Sequence, residues 1–415
     1  MVTTSPSLRS GLTIGRATDD DWPDIITADA RAFAMRNPLP SDEVTDLRGK
    51  VRDSDVVLVR DTNRSPAPLA GVSMFYRMAL TMPGKGPVDV AGLSWVSVAS
   101  THRRRGILRT MITELFDQWE AEGFPFAILT ASEGTIYGRF GFGPASFAQS
   151  VTVPLDRARM RQPAPDICPV HFADADEVAE RVPELHARWA AQRPGAIGRS
   201  DAWWRPILAD RESERPPVAS GLHYLLHEDG YASYRVFKDV TDGSVRARVE
   251  EVVPLTEEAH TELWRVLTSL DLIPSLSASI PVDDPLPEKL TDLRAAEVTG
   301  LDDKMWLRIL DIPAAFGART FSGDLDAVIE VTDEFRDRGG VFDVSIRNGG
   351  AAVIPSTATP TVRMDISVLS SIFLGGIAPS RFAAAGRLWT ESAELLRDLD
   401  RAFAADVAPF SGTFF

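Results

Sequence analysis

One cysteine, Cys168, stands in 415 residues, so neither an internal disulfide nor a cysteine cluster for a metal can form. A lone thiol is consistent with a reducing compartment. Long apolar runs are missing too. The greasiest stretch, ISVLSSIFLGGIA at 366–378, falls short of the roughly 20 residues needed to cross a bilayer. The opening MVTTSPSLRSGL holds no apolar segment of signal-peptide type, so a cytoplasmic protein without a membrane span is expected. Positive charge is in deficit, with 44 Lys and Arg against 59 Asp and Glu and a formal net charge of -15. A field of that sign repels nucleic acid and attracts cationic small molecules. Histidine is sparse: His171, His186, His223, His227 and His260 show no metal-ligand spacing, and His102 reads as a solvated loop residue.

What is present suits a large folded chain. Hydrophobic content of 44% and charged content of 25% are ordinary for a globular protein, and the length suggests two or three domains. The first region reads as α/β: a strand at TIGR, a helix with Pro23 in its first turn, and a hairpin pair at DVVLVRD and PLAGVSMFYRMALTMPG. A strand at 92–98, a helix over about 104–122, a strand at FAILTA and a short helix near 134–140 follow. Ile107, Leu108, Met111, Ile112, Leu115, Phe116 and Trp119 recur at three- and four-residue spacing and give the long helix one buried stripe. A Pro-rich stretch from about 151 reads as a linker. A second α/β region runs to about 300, and an α+β region starting near WLRILDIPAAFGA completes the chain.

The densest positive cluster, Arg103-Arg104-Arg105, sits at the strand-to-helix turn VASTHRRRGILRTM. A helix N-terminus already carries partial positive charge, so cations there are unfavourable unless an anion is expected. Gly106 permits close backbone approach, and the free N–H groups of the first turn suit a pyrophosphate. The second region repeats the strand–turn–helix order at 247–270, but its turn reads VPLTEE and lacks both glycine and arginine. That unit reads as structural.

The turn fits the R/Q-x-x-G-x-G/A pattern of GNAT acetyltransferases, with Leu108 in the last position. The longer runs LSWVSVASTHRRRGILRTM and LTASEGTIYGRFGFGPAS, with DGYASYRV, DPLPEKLTD, VLSSIFLGG and LRDLDRAFAADV, closely resemble the enhanced intracellular survival (Eis) family of N-acetyltransferases. The resemblance covers essentially the whole chain. It implies a catalytic GNAT domain at 1–150, a degenerate GNAT-like domain at 151–303 and a sterol-carrier-protein-like domain at 304–415, assembled as a homohexamer. It also implies acetyl-CoA as co-substrate, no metal, and a small-molecule amine as acceptor. Val96, Ser97 and Val98 would hold the acetyl-pantetheine arm, with the Val98 N–H polarising the acetyl carbonyl. Arg104, Arg105, Gly106, Ile107, Leu108 and Arg109 would surround the pyrophosphate, and Ser132 and Glu133 would lie beside the cofactor. Tyr137 matches the general acid; a phenol of pKa about 10 stays protonated at neutral pH and can protonate the departing thiolate. The terminal carboxylate on Phe415 matches the general base.

Two departures affect the acceptor pocket, whose expected residues include Phe33, Met35 and Phe414. Family members that acetylate aminoglycosides carry an acid where this chain has Met35 and a glutamate where it has Phe414. The expected function is therefore acetyl transfer to a primary amine, with aminoglycosides as the leading acceptors. A dedicated metabolite amine, a protein lysine, and a non-catalytic lipid-binding role for the third region remain open at this point.

Overall fold

The computed structural model describes residues 10–239 and 243–415. The opening stretch read for a signal peptide lies outside the described residues through position 9. The first unit comprises β1 (Leu12–Arg16), α1 (Trp22–Phe33), α2 (Ser41–Arg48), β2 (Val56–Asp61), β3 (Leu69–Met82), β4 (Gly86–Val98), α3 (Ile107–Ala121), β5 (Phe126–Leu129), α4 (Gly134–Tyr137) and β6 (Gly143–Pro154). The second comprises β7 (His171–Phe172), α5 (Ala175–Ala190), α6 (Asp201–Ala209), β8 (His223–His227), β9 (Gly230–Lys238), β10 (Val245–Pro254), α7 (Glu257–Leu267), β11 (Ser275–Pro281), α8 (Leu286–Lys289) and β12 (Glu297–Ile309). The third comprises α9 (Ile312–Gly317), β13 (Leu325–Thr332), β14 (Gly340–Arg347), β15 (Gly350–Pro355), β16 (Val362–Asp365), α10 (Ile366–Ile372), α11 (Pro379–Ala384), β17 (Leu388–Thr390) and α12 (Ala393–Phe403).

Twelve strands make one continuous sheet, in the order β1-β2-β3-β4-β5-β12-β6-β11-β10-β9-β8-β7. The two halves are joined by two long strands that belong to both. The first part of β12 pairs with β6, and its end, Trp306–Ile309, pairs with Leu129–Phe126 of β5. β6 in turn pairs with β11. The segment WLRI, read from sequence as the opening of the third region, is therefore a central strand of the large sheet. Met305, Leu307 and Ile309 are buried on one face, and Trp306 and Arg308 on the other, so both faces are covered and burial does not alternate along the run.

The third unit has its own five-stranded sheet, β15-β14-β13-β16-β17. Its core is continuous with one face of the first unit: Met74, Phe126 and Leu307 share a cluster with Phe316, Phe373 and Leu399. Buried Arg308 pairs with Asp333 across this junction, and Arg336 reaches Asp117 and Glu120 on the polar face of α3. The third unit is thus packed against the first rather than tethered to it.

The opposite face of β3 and β4 is covered by α3, whose Ile107, Met111, Ile112, Leu115, Phe116 and Trp119 are all buried. The stripe read from sequence is observed except at Leu108, which is only partly buried at its edge. The helix starts at Ile107, three residues later than its pattern suggested, because Arg104 and Gly106 adopt φ of +62° and +82°. Left-handed residues cannot continue a right-handed helix.

Candidate active site

β4 pairs with β3 along its length, but it meets β5 in parallel only where Ala91–Leu93 face Ala127–Leu129. β5 ends there, while β4 runs on to Val98. The strands part, and the β5 side of Ser94–Val98 is left without a strand partner. Val96, Ser97 and Val98 form one wall of this gap, and exposed Ser132 and Glu133 follow the end of the other. A bulge shapes the first wall. Ser73 alone stands opposite Trp95 and Val96, between the pairs Val72–Ser97 and Met74–Ser94. Trp95 takes a φ of +52°, which costs a non-glycine residue about 1–2 kcal/mol. Such a bulge turns backbone groups out of the ladder, where an extended ligand can use them.

Cationic groups gather at one end of the gap. α3 has no capping side chain and no acid in its first turn, and its first internal bond runs from Thr110 N–H to the Gly106 carbonyl. Among the described residues, no partner accepts from the preceding amides of the turn. By contrast α5, α7, α10 and α12 are capped by Asp174, Thr256, Asp365 and Ser392. Arg104 and Arg105 are exposed beside the open end, and among the described residues no carboxylate pairs with either of them or with Arg109. The Arg109 guanidinium lies over the Phe335 ring at 5.0 Å. Unpaired cations around free amides form an anion site. His102, read above as solvated, is instead buried, with its Nε2 3.1 Å from Asp61. The short turn at Ser100–His102 folds back onto the end of β2 and carries it inward.

Tyr137 approaches from the α3 side. Its ring is buried and meets Phe142 edge-on at 6.2 Å, while no described residue bonds to its hydroxyl. Burial, helped by the charge of Glu133, pushes the phenol up to about 12, so it is protonated at every physiological pH.

The chain's last residues arrive from the other face. The Ala408 N–H donates to Asp283 at 2.7 Å, the Phe410 N–H to the Pro194 carbonyl at 2.9 Å, and the Ile197 N–H to the Ser411 carbonyl at 3.2 Å. At Gly412, φ is +63° and a β-carbon would come within 2.7 Å of the Trp189 ring, so glycine is required. Arg199, with a side chain 5% exposed, then takes over. It donates to the Gly412 carbonyl at 2.7 Å and to the Thr413 hydroxyl at 3.0 Å, and it pairs with Glu251, which also accepts from the Tyr231 hydroxyl. Burial opposes the charge on Glu251, but Arg199 outweighs it and holds the carboxyl below its usual range. The tail ends with the Phe415 ring against β4: a β-carbon on Gly92 would lie 3.1 Å from its Cε2. Gly92 lies one residue before the last β4–β5 pair.

β10 and β11 of the second unit also run parallel and pair at only two positions, Ala247–Leu276 and Arg248–Ser277. Their divergence adjoins the tail: residues 410–414 line a cavity of about 200 Å³ together with Val249–Val253 and Ala278–Pro281. The helix that follows opens with Thr256 as cap and Glu257 and Glu258 in its first turn, a pattern that repels an anion. Phe414, 80% exposed, lines this cavity with Glu250, Glu251 and Thr130. Phe33 and Met35, 43% and 60% exposed at the end of α1, do not line it.

Sequence reasoning did not single out Asp29, Tyr76, Trp95 or Arg199. Arginine and aspartate in ordinary helical or loop contexts carry no local signal, and their importance comes from what folds over them.

Comparisons with known proteins agree with this geometry. Residues 13–145 and 195–309 each match an acetyltransferase (GNAT) domain family, and residues 312–412 match a sterol carrier protein domain. N-acetyltransferase Eis of Mycobacterium tuberculosis is 39% identical over 403 residues, covering 95% of this chain and 98% of that protein. An uncharacterized N-acetyltransferase of Streptomyces coelicolor is 31% identical over 403 residues, covering 94% and 96%. The crystal structure of Eis1 from Mycobacterium abscessus superposes with a TM-score of 0.85 at 29% identity, over 97% of this chain and all of that one.

Proposed function

The chain belongs to the Eis family of GNAT N-acetyltransferases, and from that premise we propose that it moves the acetyl group of acetyl-CoA directly onto a primary amine of a cationic small molecule. Two GNAT domains and a sterol-carrier-protein domain make up the enzyme. The residues of the first unit fit acetyl-CoA, which supplies a thioester-activated acetyl group when bound. Arg104, Arg105 and the amides of Gly106, Ile107 and Leu108 would hold its phosphates, with Arg109 beside them. Val96, Ser97 and Val98 would offer strand-like backbone bonds to the pantetheine arm, and the Val98 N–H would be available to polarise the acetyl carbonyl. Ser132 and Glu133 border the arm on the β5 side.

The observation that supports the reading is that the buried phenol of Tyr137 lies on one face of the sheet at the gap and the Phe415 ring packs on the other. The Tyr137 hydroxyl, kept protonated by burial, gives its proton to the departing sulfur. The α-carboxylate of Phe415 takes a proton from the attacking amine, directly or through water. The second unit contributes no cofactor site; it provides the groove that guides the tail.

Aminoglycosides lead the acceptor classes, and lysine side chains of peptides come second. Homohexameric assembly and a cytoplasmic location follow from the family resemblance. No helix among the described residues is long and apolar enough to cross a membrane. The deciding experiment is thiol release from acetyl-CoA with aminoglycosides, polyamines and lysine peptides, run on N-terminally and C-terminally extended forms. An extension after Phe415 replaces the carboxylate with an amide, so it should abolish most turnover while acetyl-CoA still binds. Equal turnover in the two forms would remove Phe415 from the chemistry.

A further inference from the structure

One ionisable side chain near the gap has no structural explanation. Asp29 lies on the inner face of α1, in line with Trp22, Ile25 and Ile26, and is 8% exposed. Its Oδ1 is fully buried and has no hydrogen-bond partner, and no described residue forms an ion pair with it. Native proteins rarely leave a buried carboxylate unpaired, because the charge loses its hydration and gains nothing in return.

Its surroundings place it on the face of the sheet that carries the Phe415 ring. The charge of Asp29 acts on the Tyr76 hydroxyl, which also sits against Ser94 and Trp95 at the β4 bulge. Tyr76 pairs in register with Gly92, the residue that receives the Phe415 ring. On its other side Tyr76 meets Trp203 edge-on at 5.1 Å. Tyr76, Trp95, Trp203 and Phe415 belong to one apolar cluster, on the sheet face opposite Tyr137. A carboxylate among aromatic rings is the composition of a site for an organic cation. Lys50 lies over Trp203 at 4.5 Å, and the charges acting on it are those of Asp46, Glu214 and Arg211, not Asp29.

We infer that Asp29 is the anionic contact for a second, non-reacting ammonium of a polycationic acceptor. This rests on the acetyltransferase reading above and adds to it the specificity for amines with at least two charges. Burial alone holds the Asp29 carboxyl up at about 6, so it is ionised at neutral pH yet unsatisfied until a cation arrives. A ligand that supplies the missing charge binds against a group already positioned for it. A monoamine has only its reacting nitrogen to offer and gains nothing from Asp29.

The test compares the full-length enzyme with its Asp29→Asn variant, using spermidine and kanamycin as polycationic probes and n-butylamine as the single-charge control. Equilibrium binding is measured by calorimetry with and without acetyl-CoA, and kcat and KM by thiol release. The expected result is at least a tenfold weaker Kd and higher KM for the two polycations, a change under threefold for n-butylamine, and unaltered acetyl-CoA affinity. The variant is also expected to melt no lower than the wild type, since it loses an unpaired buried charge. Equal polycation Kd in both proteins, including no binding by either, overturns the inference. A fall in kcat with unchanged KM also overturns it, because Asp29 would then serve the chemistry. The wild type binding polycations without acetylating any amine would defeat the transfer reading, while the binding comparison would still decide the role of Asp29.

Discussion

Replacing Arg199 with methionine tests whether the second unit acts on catalysis by holding the tail. The substitution keeps the side chain's length and most of its volume but removes both bonds to the tail and the partner of Glu251. Bonds from a charged donor are worth about 1.5–3 kcal/mol each. Water can enter once the guanidinium is gone, so we take about 2–4 kcal/mol as the net loss of tail docking. At about 1.36 kcal/mol per decade, the docked-to-free ratio of the tail falls roughly 30- to 1000-fold. The bonds at Ala408, Phe410 and Ile197 remain, so the segment before Gly412 stays in place and the last three residues become free. Turnover should fall at least tenfold while acetyl-CoA affinity is unchanged, because the anion site is untouched. The single variant also leaves Glu251 buried and unpaired, at about 3–5 kcal/mol in stability. The Arg199→Met, Glu251→Gln double variant removes that orphan charge. Stability should return in the double variant and turnover should not. Recovery of turnover together with stability would mean that Arg199 serves folding alone, and wild-type turnover in a destabilised single variant would mean that the tail needs no anchor.

Other expectations follow from the first unit. Tyr137→Phe should lower kcat about 10²-fold or more without altering acetyl-CoA affinity; steady-state kinetics with calorimetry checks both. Gly106→Val, at a φ of +82° with nothing within 4 Å of a new β-carbon, acts through conformation alone, and with Arg104→Ala it should weaken acetyl-CoA binding; an unchanged Kd would refute the anion site. Asp29→Asn should raise stability above about pH 6, where the wild-type carboxylate is ionised in its buried setting. The whole shift corresponds to about 3 kcal/mol at pH 7, and the unsatisfied amide of asparagine leaves a gain of about 1–2. That gain should disappear as pH falls through 6 towards the ordinary aspartate value of 3.8, a trend that denaturant melts across pH can follow.

Local patterns were enough to read the catalytic unit. The α3 stripe, the β2 and β3 pair and the Arg-Arg-Arg-Gly turn are features of neighbouring residues, set by helical spacing, alternation and glycine. The family motifs are contiguous runs, so Val96–Val98, Arg104–Arg109 and Tyr137 are legible in the sequence itself. The absence of both glycine and arginine in VPLTEE likewise marked the second unit, and the structure adds why: Thr256 caps that helix and two glutamates open it. Elements with mixed signals were missed. α2 has only two buried positions, both acidic, α5 carries Pro183 inside it, and β17 lies where a helix was expected to begin.

Long-range pairing lay beyond such patterns. Nothing in WLRI shows that it inserts between β5 and β6, or that Arg308 within it will be buried against Asp333, because a short strand of this kind fits many partners. Asp29 reads as one more helical acid until α1 settles onto β3 and removes its water. Arg199 reads as one more arginine until the tail crosses it. A residue's type and local conformation depend on its neighbours in the chain, and one sequence is sufficient to reveal them. Whether a charge ends up paired, solvated or stranded depends on what the rest of the chain places around it, and only the folded molecule decides that.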